Sequence, residues 1–397
     1  MHVLALTDYL SNVGGAELSA REIVTGLAHR NDTKVTLVGG DLSDVENLSF
    51  PGVDVSRVDI PDYVESLPDF VGDSITARRL AQAAEEHVED ADVVHAHHRR
   101  STMAIGQLDT ETPKVATIRD FWPICPISIY SVDGRQCRGC DDDLGNCVQY
   151  QEWDGPLSPV VMRYLLLKRH YNSGIIGALD CNVFIADHIR ETVRKSSQIA
   201  SRTDVVYNPI DVDFSGPAAF SEIPRFVTAS SLLPQKGIDT AVRAIGLLDI
   251  DAELVVFGDG EERDWLEQLA KHVAPGKVEF RGRVEPGEVY RTIAGATATV
   301  FPSTWEEPFG RVTVESMALG TPIVGSAVGG IEEVIDDGET GLLFPPGNES
   351  ALSEQLRRLC ANPEFVTSLG EAASTVAEEF TPQAVANDYH TIFEELA

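Results

Sequence analysis

Short runs of apolar residues alternate with helical-period segments along this chain, break off at a turn-rich stretch, and then start again. That alternation is the mark of a parallel sheet covered by helices on both faces. The first strand reads Val3-Leu4-Ala5-Leu6 and runs into a turn at Ser11, Asn12, Val13, Gly14 and Gly15. A helix follows with Ala16, Ser19, Ala20, Ile23, Val24 and Leu27 on helical spacing. Further strands are expected at 35–38, 93–96, 115–118, 181–186 and 204–207, with a helix-like segment at 101–108. The stretch from Asn208-Pro209 to Gly216-Pro217 reads as a linker. Beyond it, strands are expected at 225–229, 254–257, 278–280, 299–301 and 322–324. The expected fold is α/β: two doubly wound, Rossmann-like domains, 1–214 and 215–380, facing a central cleft. Ligands of such sheets bind at the carboxyl ends of the strands. Residues 381–397 look helical and are expected to cross back onto the first domain.

A chain of 397 residues, 43% of them hydrophobic, can fill two such cores. Its charge is unusual: 31 Lys and Arg face 63 Asp and Glu, a net of −32, and only seven of the bases are Lys. Nucleic acid is therefore a poor partner, because a basic footprint is missing. The acidic excess runs through both halves, which points away from a localised substrate field and toward adaptation to high salt. The N-terminus has no basic segment followed by an apolar run, and no uncharged apolar stretch approaches about 18 residues. A cytoplasmic enzyme is expected.

Chemistry concentrates in residues 301–344. A strand ends at Phe301, a loop carries Glu306, Glu307, Pro308, Phe309 and Gly310, and a helix starts near Arg311. Exposed N–H groups at that helix start would favour phosphates, and Gly310 would let the chain approach a ligand closely. Glu307 and Glu315 could each accept hydrogen bonds from hydroxyls.

The spacing E-x7-E in EPFGRVTVE, 307–315, resembles the signature of the family 4 retaining glycosyltransferases, which have the GT-B fold. The resemblance continues through ALGTPIV, GGIEEVI and GETGLLF, in order. Upstream, PQKG at 234–237, VVFGDGEE at 255–262 and VEFRGRV at 278–284 are also similar to the family's second domain. In the first domain it is thinner: GGAE at 14–17, HAHHRR at 95–100 and TIRDFWPICP at 117–126. The resemblance implies that Glu315 binds the donor ribose and that Glu307 holds the transferred sugar. The backbone of Pro308, Phe309, Gly310 and Arg311 would contact sugar and phosphates, and Lys236 would neutralise the departing diphosphate. Arg283 and Val284 would lie beside the nucleobase, and Gly14-Gly15 near the phosphates. The donor is then a nucleotide-diphosphate sugar and no catalytic metal is needed.

Two positions depart from the family pattern. Ser231 stands where an Arg usually lies five residues before Lys236. Arg119, followed by Asp120, stands where a His is common. A permanently charged fork donor in place of a neutral imidazole implies either a charged substrate, such as a uronic acid, or impaired catalysis. His97 and His98 could supply an imidazole, or be surface histidines on a loop.

Four cysteines, Cys125, Cys137, Cys140 and Cys147, fall in a Cys-rich insertion at 121–150. In a reducing compartment such a cluster favours structural zinc, with reduced thiols or a disulfide as the alternatives. Residues 159–170 are locally basic: Arg163, Lys168 and Arg169 flank Val160, Val161, Leu165, Leu166 and Leu167. They form either an interfacial helix touching anionic lipid or a core-facing helix with a basic rim. The expected function is hexosyl transfer, with retention, to a glycan or lipid-linked glycan, at the inner membrane face or in the cytoplasm. A non-catalytic nucleotide-sugar-binding subunit and a nucleotide-sugar epimerase of the same fold are the rival readings.

Overall fold

The structure is a computed structural model. It describes residues 1–397 other than 12–13, 42–47, 133–134, 151–154, 198, 213 and 215, and leaves side chains undescribed at 65, 135, 136 and 150. Asn12 and Val13 of the expected turn, and Asp213 and Ser215 of the expected linker, are thus outside the described residues. The chain divides into two compact units. The first takes Met1–Val132, Cys137–Pro209 and Thr381–Ala397; the second is built chiefly from Ile210–Phe380.

The first unit holds a seven-stranded parallel sheet of β1 (His2–Tyr9), β2 (Lys34–Asp41), β3 (Asp54–Asp59), β4 (Val93–Ala96), β5 (Lys114–Ile118), β6 (Cys181–Phe184) and β7 (Arg202–Val205). Their order is β3-β2-β1-β4-β5-β6-β7. The chain works outward from β1 in one direction and then restarts beside it, Val3 pairing with Val93. The carboxyl ends of β1 and β4 therefore flank the point where the order reverses. One core cluster packs Val3, Ala5, Val35 and Val115 of the sheet against Ile23, Val24 and Leu27 of the helix Gly15–Ala28. The helix Pro382–Leu396 completes it. Thr381 caps that helix by accepting the Ala384 N–H, Pro382 occupies its first turn, and Val385, Tyr389 and Phe393 recur every four residues into the core. Burying Phe393 alone is worth roughly 2–3 kcal/mol.

The second unit repeats the plan with six strands: β8 (Arg225–Ala229), β9 (Glu253–Phe257), β10 (Val278–Gly282), β11 (Ala298–Phe301), β12 (Ile323–Ser326) and β13 (Gly341–Phe344). The order β10-β9-β8-β11-β12-β13 reverses between β8 and β11. Ile238, Ala241, Val242 and Ile245 put an i, i+3, i+4, i+7 stripe of the helix Ile238–Gly246 onto Phe226, Leu254 and Val256. Both units are therefore Rossmann-like.

Candidate active site

In the second unit the loop after β11 is fixed from two sides. The Thr304 N–H donates to the Gln235 carbonyl at 2.9 Å, and the Gly330 N–H donates to the Glu307 carbonyl at 2.8 Å. Gly329 has φ +52, and a Cβ there would lie 2.5 Å from the Glu307 carbonyl oxygen, so a side chain would push the loop out of place. Gly310, at φ +74, turns the chain into the helix Arg311–Ala318, and as its N-cap residue it has no side chain to cap the first N–H groups. The buried Glu307 carboxylate meets the Lys236 ammonium at 2.7 Å, the Trp305 indole N–H at 2.8 Å and the Ser303 hydroxyl at 3.2 Å, all through Oε2. Lys236 ends the short 3-10 turn Pro234–Lys236 after β8. Arg311 and Glu315, one turn apart on the helix, approach to 3.7 Å. At the ends of β8, β9 and β10 lies a cavity of about 320 Å³ lined by Ser230, Ser231, Phe257, Asp259, Arg283 and Val284. Every one of these groups follows the carboxyl end of a strand, where doubly wound sheets bind ligands.

The first unit has its own cavity, about 190 Å³, beside the ends of β1, β4 and β5; Asp8, His97, His98, Arg119, Asp120 and Trp122 line it. Arg119 is buried and donates from Nε to the His97 carbonyl at 3.0 Å and from Nη1 to Asn208 Oδ1 at 2.5 Å. Asp120 accepts the Trp122 N–H at 2.6 Å, and burial pushes its carboxyl up to about 6. Burial holds the imidazoles neutral, with Arg119 adding to the effect. His95 is driven down to about 3, His98 to about 4, and His97 well below its ordinary value. Both ring nitrogens of His97 are buried, and among the described residues neither has a hydrogen-bond partner. His95 Nε2 shares a hydrogen bond with Thr117, which reaches on to the Tyr389 hydroxyl. Gly14 caps the helix Gly15–Ala28 in extended conformation, and a Cβ there would make only an ordinary contact with Glu17 at 3.5 Å. Backbone geometry therefore does not require glycine at position 14.

The sequence profile of Glycosyltransferase Family 4 matches residues 13–214, and that of Glycosyl transferases group 1 matches residues 212–376. The chain belongs to glycosyltransferase family 4. It is thus an enzyme of hexosyltransferase type. An uncharacterized glycosyltransferase of Methanocaldococcus jannaschii is 30% identical over 199 residues, 50% of this chain and 55% of that protein. The N-acetyl-alpha-D-glucosaminyl L-malate synthase of Bacillus anthracis is 25% identical over 98% of this chain and 96% of its own length. Among solved structures, sucrose-phosphate synthase from Thermosynechococcus elongatus superimposes with a TM-score of 0.74 at 20% identity, covering 100% of this chain and 99% of that one. Anabaena HepE in complex with UDP and glucose gives 0.71 at 17% identity, covering 100% of both chains. The fold is GT-B.

Three expectations for this glycosyltransferase need correction. All six cysteines are free thiols, and among the described residues no group of three or more His, Cys, Asp or Glu side chains is placed to hold a metal ion. Cys125, Cys137, Cys140 and Cys147 do share a neighbourhood. Burial, reinforced by the other sulfurs, pushes the Cys140 and Cys147 thiols up to about 11. His97 is fully buried, so a surface loop does not describe it. The basic stretch 159–170 lies in the helix Ser158–Gly177 and is neither purely core-facing nor freely basic. Leu165 is buried, whereas Val160, Leu166 and Leu167 are exposed. Lys168 is buried on Asp69 at 3.2 Å, and Arg169 pairs with Asp141 at 3.2 Å. Sequence reasoning missed Trp305 and Ser303 beside Glu307, and Asp8 in the first cavity. Nothing in the sequence marks Trp305, because only the burial of Glu307 creates the need for nearby donors.

Proposed function

We propose that this chain transfers a hexosyl group, with retention, from a nucleotide-diphosphate donor to a hydroxyl of a glycan or lipid-linked glycan. The observation that carries the reading is the buried Glu307 carboxylate on the Lys236 ammonium, with the start of the helix Arg311–Ala318 four residues on. A carboxylate suits sugar hydroxyls, while an ammonium and helix-start N–H groups suit a diphosphate. In this reading Glu315 takes the ribose hydroxyls, and Arg283 and Val284 lie against the base. The backbone of 308–311 grips sugar and phosphates, and Gly14-Gly15 lies near the phosphates. As the sugar–oxygen bond breaks, negative charge develops on the diphosphate, and Lys236 and the helix N–H groups stabilise it. The acceptor hydroxyl attacks on the face the diphosphate leaves, which preserves the anomeric configuration. HepE's complex with UDP and glucose supports a nucleotide-sugar donor.

Arg119 and Asp120 are assigned to the substrate's reacting end. A buried permanent cation where a neutral imidazole is usual favours a substrate bearing a carboxylate, as the L-malate in the Bacillus anthracis relative's name does. Glu307→Gln tests the site: transfer should fall by about 100-fold or more, and full activity in that variant would remove the assignment. A thermal-shift panel of nucleoside diphosphates and nucleotide sugars in high salt finds the donor, because a ligand of the folded state raises its midpoint. Nucleotide binding without turnover would instead mark a donor-binding subunit.

The reading extends to the surface. Tyr63, Phe70 and Val71 are exposed, as are Leu157, Val160, Tyr164, Leu166, Leu167 and Tyr171, and the Phe70 and Tyr171 rings meet edge-on at 6.1 Å. The helix Ser158–Gly177 bears no acid in a chain of 63. This face is assigned to an anionic lipid surface, with Arg163 supplying positive charge. Among the described residues no helix is long and apolar enough to cross a membrane. Flotation with phosphatidylcholine/phosphatidylglycerol vesicles should be lost in Leu167→Ser/Arg163→Ser. A dimer that those changes dissociate, without flotation, would refute the lipid assignment. The acidic balance is assigned to life in high salt.

A further inference from the structure

Glu307 presents its two oxygens unequally. Oε2 receives the Lys236 ammonium, the Trp305 indole N–H and the Ser303 hydroxyl, at 2.7, 2.8 and 3.2 Å. Among the described residues, no hydrogen bond is made to Oε1. Three donors more than fill the two lone pairs of one carboxylate oxygen, so the carboxylate is anchored by one oxygen and has the other available as an acceptor.

The three donors are not equivalent. The Ser303 hydroxyl has a single proton and also lies 3.2 Å from the Gln235 carbonyl oxygen, so it divides between two acceptors. The Lys236 ammonium is the group assigned to the diphosphate, so a bound donor competes with Glu307 for it. The indole N–H donates to Glu307 Oε2 alone. Trp305 also holds the ammonium by its face, with Nζ 5.2 Å from the ring centroid. Its edge thus orients the carboxylate and its face orients the cation.

We propose that Trp305 is a positioning residue for transfer. Its indole N–H keeps Glu307 Oε2 anchored, so that Oε1 stays aimed at a hydroxyl of the donor sugar when Lys236 turns to the diphosphate. The inference rests on the reading of Glu307 as the sugar-holding carboxylate. It assigns sugar recognition to one oxygen and makes a neutral side chain responsible for which one.

Trp305→Phe keeps an aromatic face and removes the N–H; Trp305→His restores a ring N–H. The probes are UDP, ADP and GDP with UDP-glucose, ADP-glucose and GDP-mannose, using the pair that most raises the wild-type thermal midpoint. Titration calorimetry should show Trp305→Phe binding the nucleoside diphosphate within about twofold of wild type. The extra affinity contributed by the sugar should be lost, and kcat should fall by about tenfold or more. Trp305→His should recover part of kcat at unchanged nucleotide affinity. A sugar contribution and a kcat both within twofold of wild type in Trp305→Phe would overturn the proposal. So would a parallel loss of nucleotide affinity, sugar affinity and ligand-free thermal midpoint in both variants, which is what a purely structural tryptophan gives. Glu307→Gln separates the two levels. If it retains full transfer, the reading of the site has failed; if it loses transfer while Trp305→Phe does not, only the role of Trp305 has.

Discussion

At the scale of single residues, the second unit's site depends on backbone positions as much as on charges. Gly310 is the sharpest case, since its φ of +74 and the 2.5 Å that would separate an added Cβ from Ile331 Cδ1 both oppose a side chain. Gly310→Ala should destabilise the second unit by about 1–2 kcal/mol in urea unfolding and weaken donor binding with it. Unchanged stability would mean that the loop relaxes freely, and the positions of the neighbouring N–H groups would then be incidental. Glu307, Glu315 and Lys236 were singled out in the sequence because their spacing resembles a known signature, and the structure brings Glu307 and Lys236 together. Trp305 was not, since its role depends on a hydrogen bond that closes only when 303–307 fold back toward Gln235. The cysteines show the reverse failure. Their spacing favoured zinc, but spacing does not report whether the folded thiols converge on one point, and among the described residues no group of three or more His, Cys, Asp or Glu side chains is placed to hold a metal ion.

At the scale of elements, the carboxyl end of β4 contributes a pH response to the first unit. His95, His97 and His98 are held neutral there by burial, against about 6.5 for an unfolded histidine. Between the folded and unfolded values the unfolded chain binds protons that the folded chain refuses. Stability therefore drops as pH falls below about 6.5, by about 1.4 kcal/mol per pH unit for each imidazole. Asp120 works in the opposite sense. Its carboxyl, raised to about 6, lets the folded state bind a proton first between roughly pH 4 and 6, which offsets one imidazole. Thermal midpoints taken from pH 7 to 5 should fall, and His97→Gln should fall less steeply; identical slopes would exclude His97 from the response. Strand legibility followed burial: β1, β5 and β11 are almost wholly buried and rich in apolar residues. β3 was missed because Asp54–Asp59 is an edge strand in which only Val58 is buried, leaving no apolar pattern to read. β13 was missed because its four residues follow a Gly-rich motif that reads as a turn.

At the scale of the whole molecule, charge is the dominant variable. A net of −32 on 397 residues repels itself over about 10 Å in 0.1 M salt but only about 3 Å in 1 M salt. Dialysis from molar to millimolar salt should lower the thermal midpoint and, at the limit, unfold the chain; a midpoint independent of salt would remove the assignment to saline conditions. The two-unit plan was legible because the same alternation occurs twice. The last helix, expected from the sequence to cross back onto the first domain, is grouped with the first unit, although no local feature of its sequence names the side chains it packs on.

That returning helix also bears on biosynthesis. Tyr389 and Phe393 belong to the first unit's core, yet a ribosome makes them after the whole second unit. At roughly 5–20 residues per second, the first 209 residues wait on the order of ten to forty seconds for the segment that closes them, while the second unit can fold in the meantime. Nascent chains halted at Phe380 should show a protease-resistant second unit and a protease-sensitive first one; equal protection of both would show that the last helix is dispensable. The chain would thus fold out of order, its earliest residues among the last to become secure.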